Sequence, residues 1–120
     1  MGLDIFFCKK KESQVGYFRK VNFLVAYFGT LGFDIENQTP LEVTKEDIEI
    51  LLDRCNRVLD DHSKAQELLP TMGGFFFGST EYDDWYFDNV KKVAEYLENT
   101  LLPMFDNLDK DEVIMFETWY

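Results

Sequence analysis

The order of apolar and polar positions divides the chain into a short strand pattern at each end and helical patterns between them. Leu3-Asp4-Ile5-Phe6-Phe7-Cys8 is aromatic and rich in β-formers and predicts a strand, with a loop in the lysines and glutamate that follow. Val15, Phe18, Val21, Leu24, Val25, Phe28 and Leu31 predict a helix from about residue 15 to residue 31. It leaves so little polar face that it should lie centrally. Gly29 and Gly32 mark its end, and the polar residues 34–40 form a loop.

Thr44 is the predicted N-cap of the clearest helix, with Glu46 and Asp47 in a first turn where carboxylates complement exposed backbone N–H groups. Ile48, Leu51, Leu52, Cys55, Val58 and Leu59 then form one stripe at three- and four-residue spacing. Asp60-Asp61-His62-Ser63 breaks or kinks this helix before residues 64–69, and Pro70 closes it. A third helix is predicted to begin near Ser79-Thr80-Glu81, to carry Tyr82, Trp85, Tyr86, Val90, Val93, Leu97 and Leu101, and to end at Pro103. An acidic turn at residues 106–112 leads into a strand over residues 113–120. The expected fold is a single α+β domain spanning residues 1–120. Its small antiparallel sheet includes the adjacent N- and C-terminal strands and packs with three to four helices.

Composition changes this picture in two ways. With 46% hydrophobic and 17% aromatic residues in 120, the chain is too apolar for a disordered tail despite a net charge of −11. The charge is also uneven: five cations against two carboxylates make residues 1–22 net +3, leaving −14 downstream. An acidic surface repels nucleic-acid phosphates, so direct nucleic-acid binding is not expected. The same surface suits basic protein grooves, or serves only to solubilise. The start is no secretory signal and no apolar run reaches membrane-span length, which predicts a cytoplasmic protein with no membrane partner. Cys8 and Cys55 are then expected to be reduced, small core residues.

Candidate chemistry centres on residues 68–88. Phe75, Phe76 and Phe77 cannot all face one way in an extended chain, so Phe76 is a candidate contact unless both sides of the segment are covered. Gly78-Ser79-Thr80 reads as helix capping and not as a phosphate cradle, because Glu81, Asp83 and Asp84 already place negative charge there. Tyr82, Trp85, Tyr86 and Phe87 are four aromatics in six residues, more than one buried face takes up. Trp85, flanked by Asp83, Asp84 and Asp88, is therefore a candidate protein-binding anchor, with Lys9, Lys10 and Lys11 as a second surface. A cation site at Asp106, Asp109, Asp111 and Glu112 lacks the glycine and spacing of an EF-hand loop. A lone histidine, His62, with no partner placed by spacing supports no catalytic triad, so neither an enzyme nor a cofactor is expected. Asn22, inside an apolar stretch, reads as a satisfied core amide.

Met1 to Asp4, Phe18-Arg19-Lys20, Leu69-Pro70-Thr71, Gly74 to Ser79 and Tyr82-Asp83 resemble the motifs of a family of small phage and prophage proteins with no assigned chemistry. The match runs nearly end to end, and the central glycine–phenylalanine block is its specific part. Val25 departs from it, standing where histidine is expected. The resemblance implies an accessory protein of a mobile element that binds and inhibits a host defence protein, a CRISPR nuclease with a basic channel being one class that fits, as for anti-CRISPR proteins. Two alternatives are a protein that sequesters a small ligand or nucleotide in a pocket between Phe75 and Thr80, and a hydrolase acting through carboxylates.

Overall fold

The computed structural model describes residues 2–9, 13–74 and 77–120. It is an α+β fold with one four-stranded antiparallel sheet. The strands are β1 (Asp4–Lys9), β2 (Ser13–Arg19), β3 (Leu41–Val43) and β4 (Ile114–Trp119), in the order β2-β1-β4-β3. The strands nearest the two ends of the chain are thus the central pair, Asp4 opposite Trp119 and Lys9 opposite Ile114. Among the described residues, no helix is long and apolar enough to cross a membrane.

Strand pairing sorts the side chains into two faces. Ile5 lies opposite Phe18 and Thr118, and Phe7 opposite Gly16 and Phe116, all on the inner face. Asp4, Phe6 and Cys8 share the outer face with Arg19, Tyr17, Met115, Glu117 and Trp119. The inner face is covered by α1 (Asn22–Thr30), α2 (Lys45–Asp60) and α4 (Asp84–Tyr96), with the short α3 (Ala65–Leu68) and α5 (Leu102–Phe105) completing the helical set. Phe28 of α1 stacks on Phe116 with centroids 4.2 Å apart, and Phe7 and Phe33 meet the same ring edge-on at 5.7 and 5.0 Å. Ile48, Leu51, Cys55 and Val58 of α2 and Val90 and Val93 of α4 complete a core with almost no exposure. Both cysteines are free and buried, and burial pushes each thiol up to about 12, so both stay protonated at neutral pH.

α2 follows the predicted pattern closely. The Thr44 hydroxyl accepts the Asp47 N–H at 3.1 Å while the Asp47 carboxylate accepts the Thr44 N–H at 3.1 Å, a reciprocal capping box. The break at residues 60–63 is also present, as a 3₁₀ turn over His62–Lys64 whose N-cap is Asp61.

Three expectations are corrected. The helix predicted from residue 15 starts only at Asn22, because Ser13–Arg19 pairs with β1 as a strand. Val15 and Phe18 fit helical spacing, but a bulge after Phe7 leaves Val15 opposite no residue and produces that spacing within a strand. Gly16, costly inside a helix, here leaves room for Tyr96: a Cβ would stand 2.2 Å from the tyrosine oxygen, which donates to the Val15 carbonyl at 3.0 Å. The helix expected near residues 79–81 starts at Asp84. Pro103 does not end it: a π-helical turn at Leu97–Leu101 widens the backbone, and the helix resumes as α5 with proline in its first turn, where no N–H partner is required. β3 is an addition, three residues between Pro40 and the Thr44 cap.

Two substitutions test this account in urea unfolding. Thr44→Ala is expected to lower stability by about 1 kcal/mol through loss of the cap. Gly16→Ala is expected to cost about 2 to 3 kcal/mol by driving a methyl group into Tyr96.

Candidate functional site

Of the stretches singled out in the sequence, residues 68–74 and 77–88 fold into one region, and Asn22 holds the loop part of it in place. Its side chain is 2% exposed at the first residue of α1. The amide nitrogen donates to the carbonyls of Phe77 at 3.0 Å and Ser79 at 2.9 Å, and the amide oxygen accepts the Met72 N–H at 3.1 Å. One side chain thereby supplies three backbone groups of an irregular segment that has no ladder to satisfy them. The same segment is closed by Thr71, whose hydroxyl donates to the Thr80 carbonyl at 2.9 Å and whose N–H donates to the Tyr82 hydroxyl at 3.1 Å. The buried Tyr86 hydroxyl donates to the Leu69 carbonyl at 2.7 Å. Phe77 is buried against Tyr120, with centroids 5.0 Å apart. Phe75 and Phe76 lie outside the described residues.

The turn between β2 and α1 presses against this segment. Lys20 has a left-handed backbone, φ 59°, held by its N–H on the Leu3 carbonyl at 2.7 Å and its own carbonyl on the Asn22 N–H at 3.0 Å. Gly78, φ 88°, packs so closely that a Cβ there would sit 3.1 Å from the Lys20 Cβ. On the other side, a Cβ on Gly2 would meet the Arg19 guanidinium at 3.0 Å and the Lys20 Cε at 3.1 Å. The Gly2-Leu3, Arg19-Lys20 and Phe77-Gly78-Ser79 stretches therefore share one patch.

α4 forms the far wall. Asp83 is its N-cap, its carboxylate accepting the Tyr86 N–H at 3.1 Å, which corrects the assignment of capping to Gly78-Ser79-Thr80. Ser79 makes only a local turn, accepting the Glu81 N–H at 3.0 Å. Of the four clustered aromatics, Tyr86 is buried, Tyr82 and Phe87 are half-buried, and Trp85 is 44% exposed. Phe87 stacks face to face on His62 at 3.6 Å, giving the lone histidine a packing role on another side of the helix.

Between α4 and the end of β2 lies an open groove of about 530 Å³, lined by Tyr17, Phe18, Arg19 and Lys20 on the strand side and Trp85, Asp88, Asn89 and Lys92 on the helix side. Asn89 donates to the Trp85 carbonyl at 2.8 Å and steadies that wall. Trp85 and Asp88 are thus brought together. Asp84 is exposed in the first turn of α4 but does not line the groove, and Asp83 is occupied as a cap. Lys9 ends β1 at the strand's opposite end from Asp4 and Arg19, in an ion pair with Glu112 at 3.5 Å, so it is no part of this site. Lys10 and Lys11 lie outside the described residues. Sequence reasoning missed the groove cations. Lys92 stands seven residues after Trp85 on one helix face, a signal open to reading, whereas Arg19 and Lys20 fall in the stretch whose spacing predicts a helix.

Among the described residues, no three or more His, Cys, Asp or Glu side chains gather in a way that could hold a metal ion.

Replacing Asn22 with Leu, similar in size, leaves one N–H and two carbonyls without partners. The expected loss is about 3 kcal/mol in urea unfolding, accompanied by new protease cleavage within residues 71–80. Compared with known proteins, the chain matches no family model, no curated protein and no solved structure.

Proposed function

We propose that this chain is a mobile-element accessory protein that binds and inhibits a host defence protein, a CRISPR nuclease being the class its charge suits. The observation that carries this reading is Trp85: a large aromatic left 44% exposed on a rigid helix whose capping, inner face and flanking loop are all tied down. Exposed tryptophan on a fixed scaffold loses little freedom on binding, and buried aromatic anchors dominate protein interfaces. Asp84 and Asp88 stand beside it, exposed, in a chain of net charge −11. Together they offer an aromatic anchor with carboxylates toward a basic partner, such as a protein with a nucleic-acid-binding groove. The resemblance to phage and prophage proteins supplies the context. Asp83 contributes by shaping the helix start.

Affinity capture of the tagged protein from host lysate, with and without nuclease treatment, tests the reading. A stoichiometric nucleic-acid-binding protein that survives nuclease is the expected result. Capture is expected to weaken at least tenfold with Trp85→Ala. With Asp84→Lys combined with Asp88→Lys it is expected to weaken more at low salt than at high salt. Equal capture by wild type and the charge-reversed variant removes the acidic surface from the account.

A further inference from the structure

β2 is an edge of the sheet, and the turn that follows it fixes the phase of its ladder. The Lys20 N–H donates to the Leu3 carbonyl at 2.7 Å, one step past Arg19 opposite Asp4, so this step of the β1–β2 ladder is a hydrogen-bonded one. Such steps alternate in an antiparallel pair. Phe18 therefore turns its main-chain N–H and carbonyl toward Ile5, while Tyr17 turns both of its groups away from β1, across the open edge. Among the described residues nothing bonds to the Tyr17 N–H or carbonyl. The edge is bounded at both ends. Tyr96 donates to the Val15 carbonyl at 3.0 Å, and the left-handed backbone of Lys20 turns the chain off the strand line. About four residues of edge, roughly 13 Å, lie between these limits.

The groove of about 530 Å³ follows this edge. Tyr17, Phe18, Arg19 and Lys20 all line it, although successive strand residues point to opposite faces, so it runs along the rim of the strand and not over one face. Its other wall is α4, with Trp85 44% exposed and its carbonyl held by Asn89 at 2.8 Å. Charge does not select the occupant: Arg19 stands 3.9 Å from the Asp4 carboxylate, and Asp88 and Lys92 on α4 carry opposite signs. The groove offers instead a main-chain donor and acceptor on one residue, with the aromatic rings of Phe18 and Trp85 for an apolar group. An extended peptide matches both, by strand addition to a sheet edge. We infer that the groove binds an extended segment of a partner protein as a further strand beside β2, with its main chain on Tyr17 and one apolar side chain seated between Phe18 and Trp85. Such strand addition rests on the reading of Trp85 as a protein-binding anchor and gives the form in which the partner is held there. A second copy of the chain suits the groove less, because two molecules of charge −11 repel.

A random peptide library displayed on phage and panned against the immobilised full chain supplies the probe. Selected peptides, made synthetically, are expected to bind Trp85→Ala at least tenfold more weakly than wild type. Methylating the peptide's backbone nitrogens one at a time is expected to weaken binding about tenfold at alternate positions and less than threefold at those between. That period of two belongs to a strand ladder and not to a bound helix. By hydrogen exchange, the Tyr17 amide is expected to be open in the free chain and slowed at least tenfold by the peptide, with the Phe18 amide slow in both states. Tyr17→Pro, which removes an outward N–H and no ladder bond, is expected to weaken binding about tenfold. Tyr17→Val lacks the same ring but keeps the N–H, and less than a threefold loss is expected. The inference is overturned if no selected peptide depends on Trp85, if methylation shows no period of two, or if sedimentation shows a dimer that Tyr17→Pro dissolves. Binding that needs Trp85 but lacks the period of two overturns strand addition and leaves the Trp85 anchor standing.

Discussion

The arrangement of this protein's surface depends on one buried amide. Residues 70–74 and 77–83 have no regular secondary structure, and such stretches need partners for their backbone groups before they can lie against a core. Asn22 meets three of those needs from a single fixed position, and the Thr71 contacts close the segment around it. With the loop placed, Gly78 meets Lys20, Asp83 stands at the start of α4, and the helix can face β2 across a groove. An aspartate at position 22 would lack the two N–H donors that the Phe77 and Ser79 carbonyls require, and an apolar residue would lack all three contacts. The amide is specified by hydrogen-bonding chemistry that no apolar side chain of the same volume reproduces.

The parts of the fold that were readable from sequence are those whose signals are local. The capping box at Thr44 and the stripe from Ile48 to Val58 lie within one helix, and the strands at the two ends carry short aromatic runs bounded by polar residues. The parts that were not readable depend on a distant partner. Ser13–Arg19 is a strand because β1 is beside it and because Tyr96, eighty residues further on, fills the space that Gly16 leaves open. β3 has only three residues and exists through its pairing with Ile114–Phe116. Pro103 stays within a helix because the turn before it is widened, a feature with no sequence signature of its own.

The site divides the same way. Trp85 and Asp88 stood out because aromatic density exceeded what one buried face absorbs, a count made on the helix alone. Arg19, Lys20 and Lys92 join them only through the placement of β2 beside α4, which no local pattern in the sequence gives. Net charge describes solubility and long-range encounter.

The sheet order has a consequence for how the chain is made. β1 is made before the other three strands of the sheet; it has β2 on one side, and its other side waits for β4, which lies far along the sequence from it. Until that last segment emerges, Ile5 and Phe7 have no central partner and β1 presents an open edge. Closure of the sheet is therefore held back until β4 has been made, and the nascent chain passes through a stage in which a hairpin with an unprotected side is vulnerable to pairing with the wrong strand.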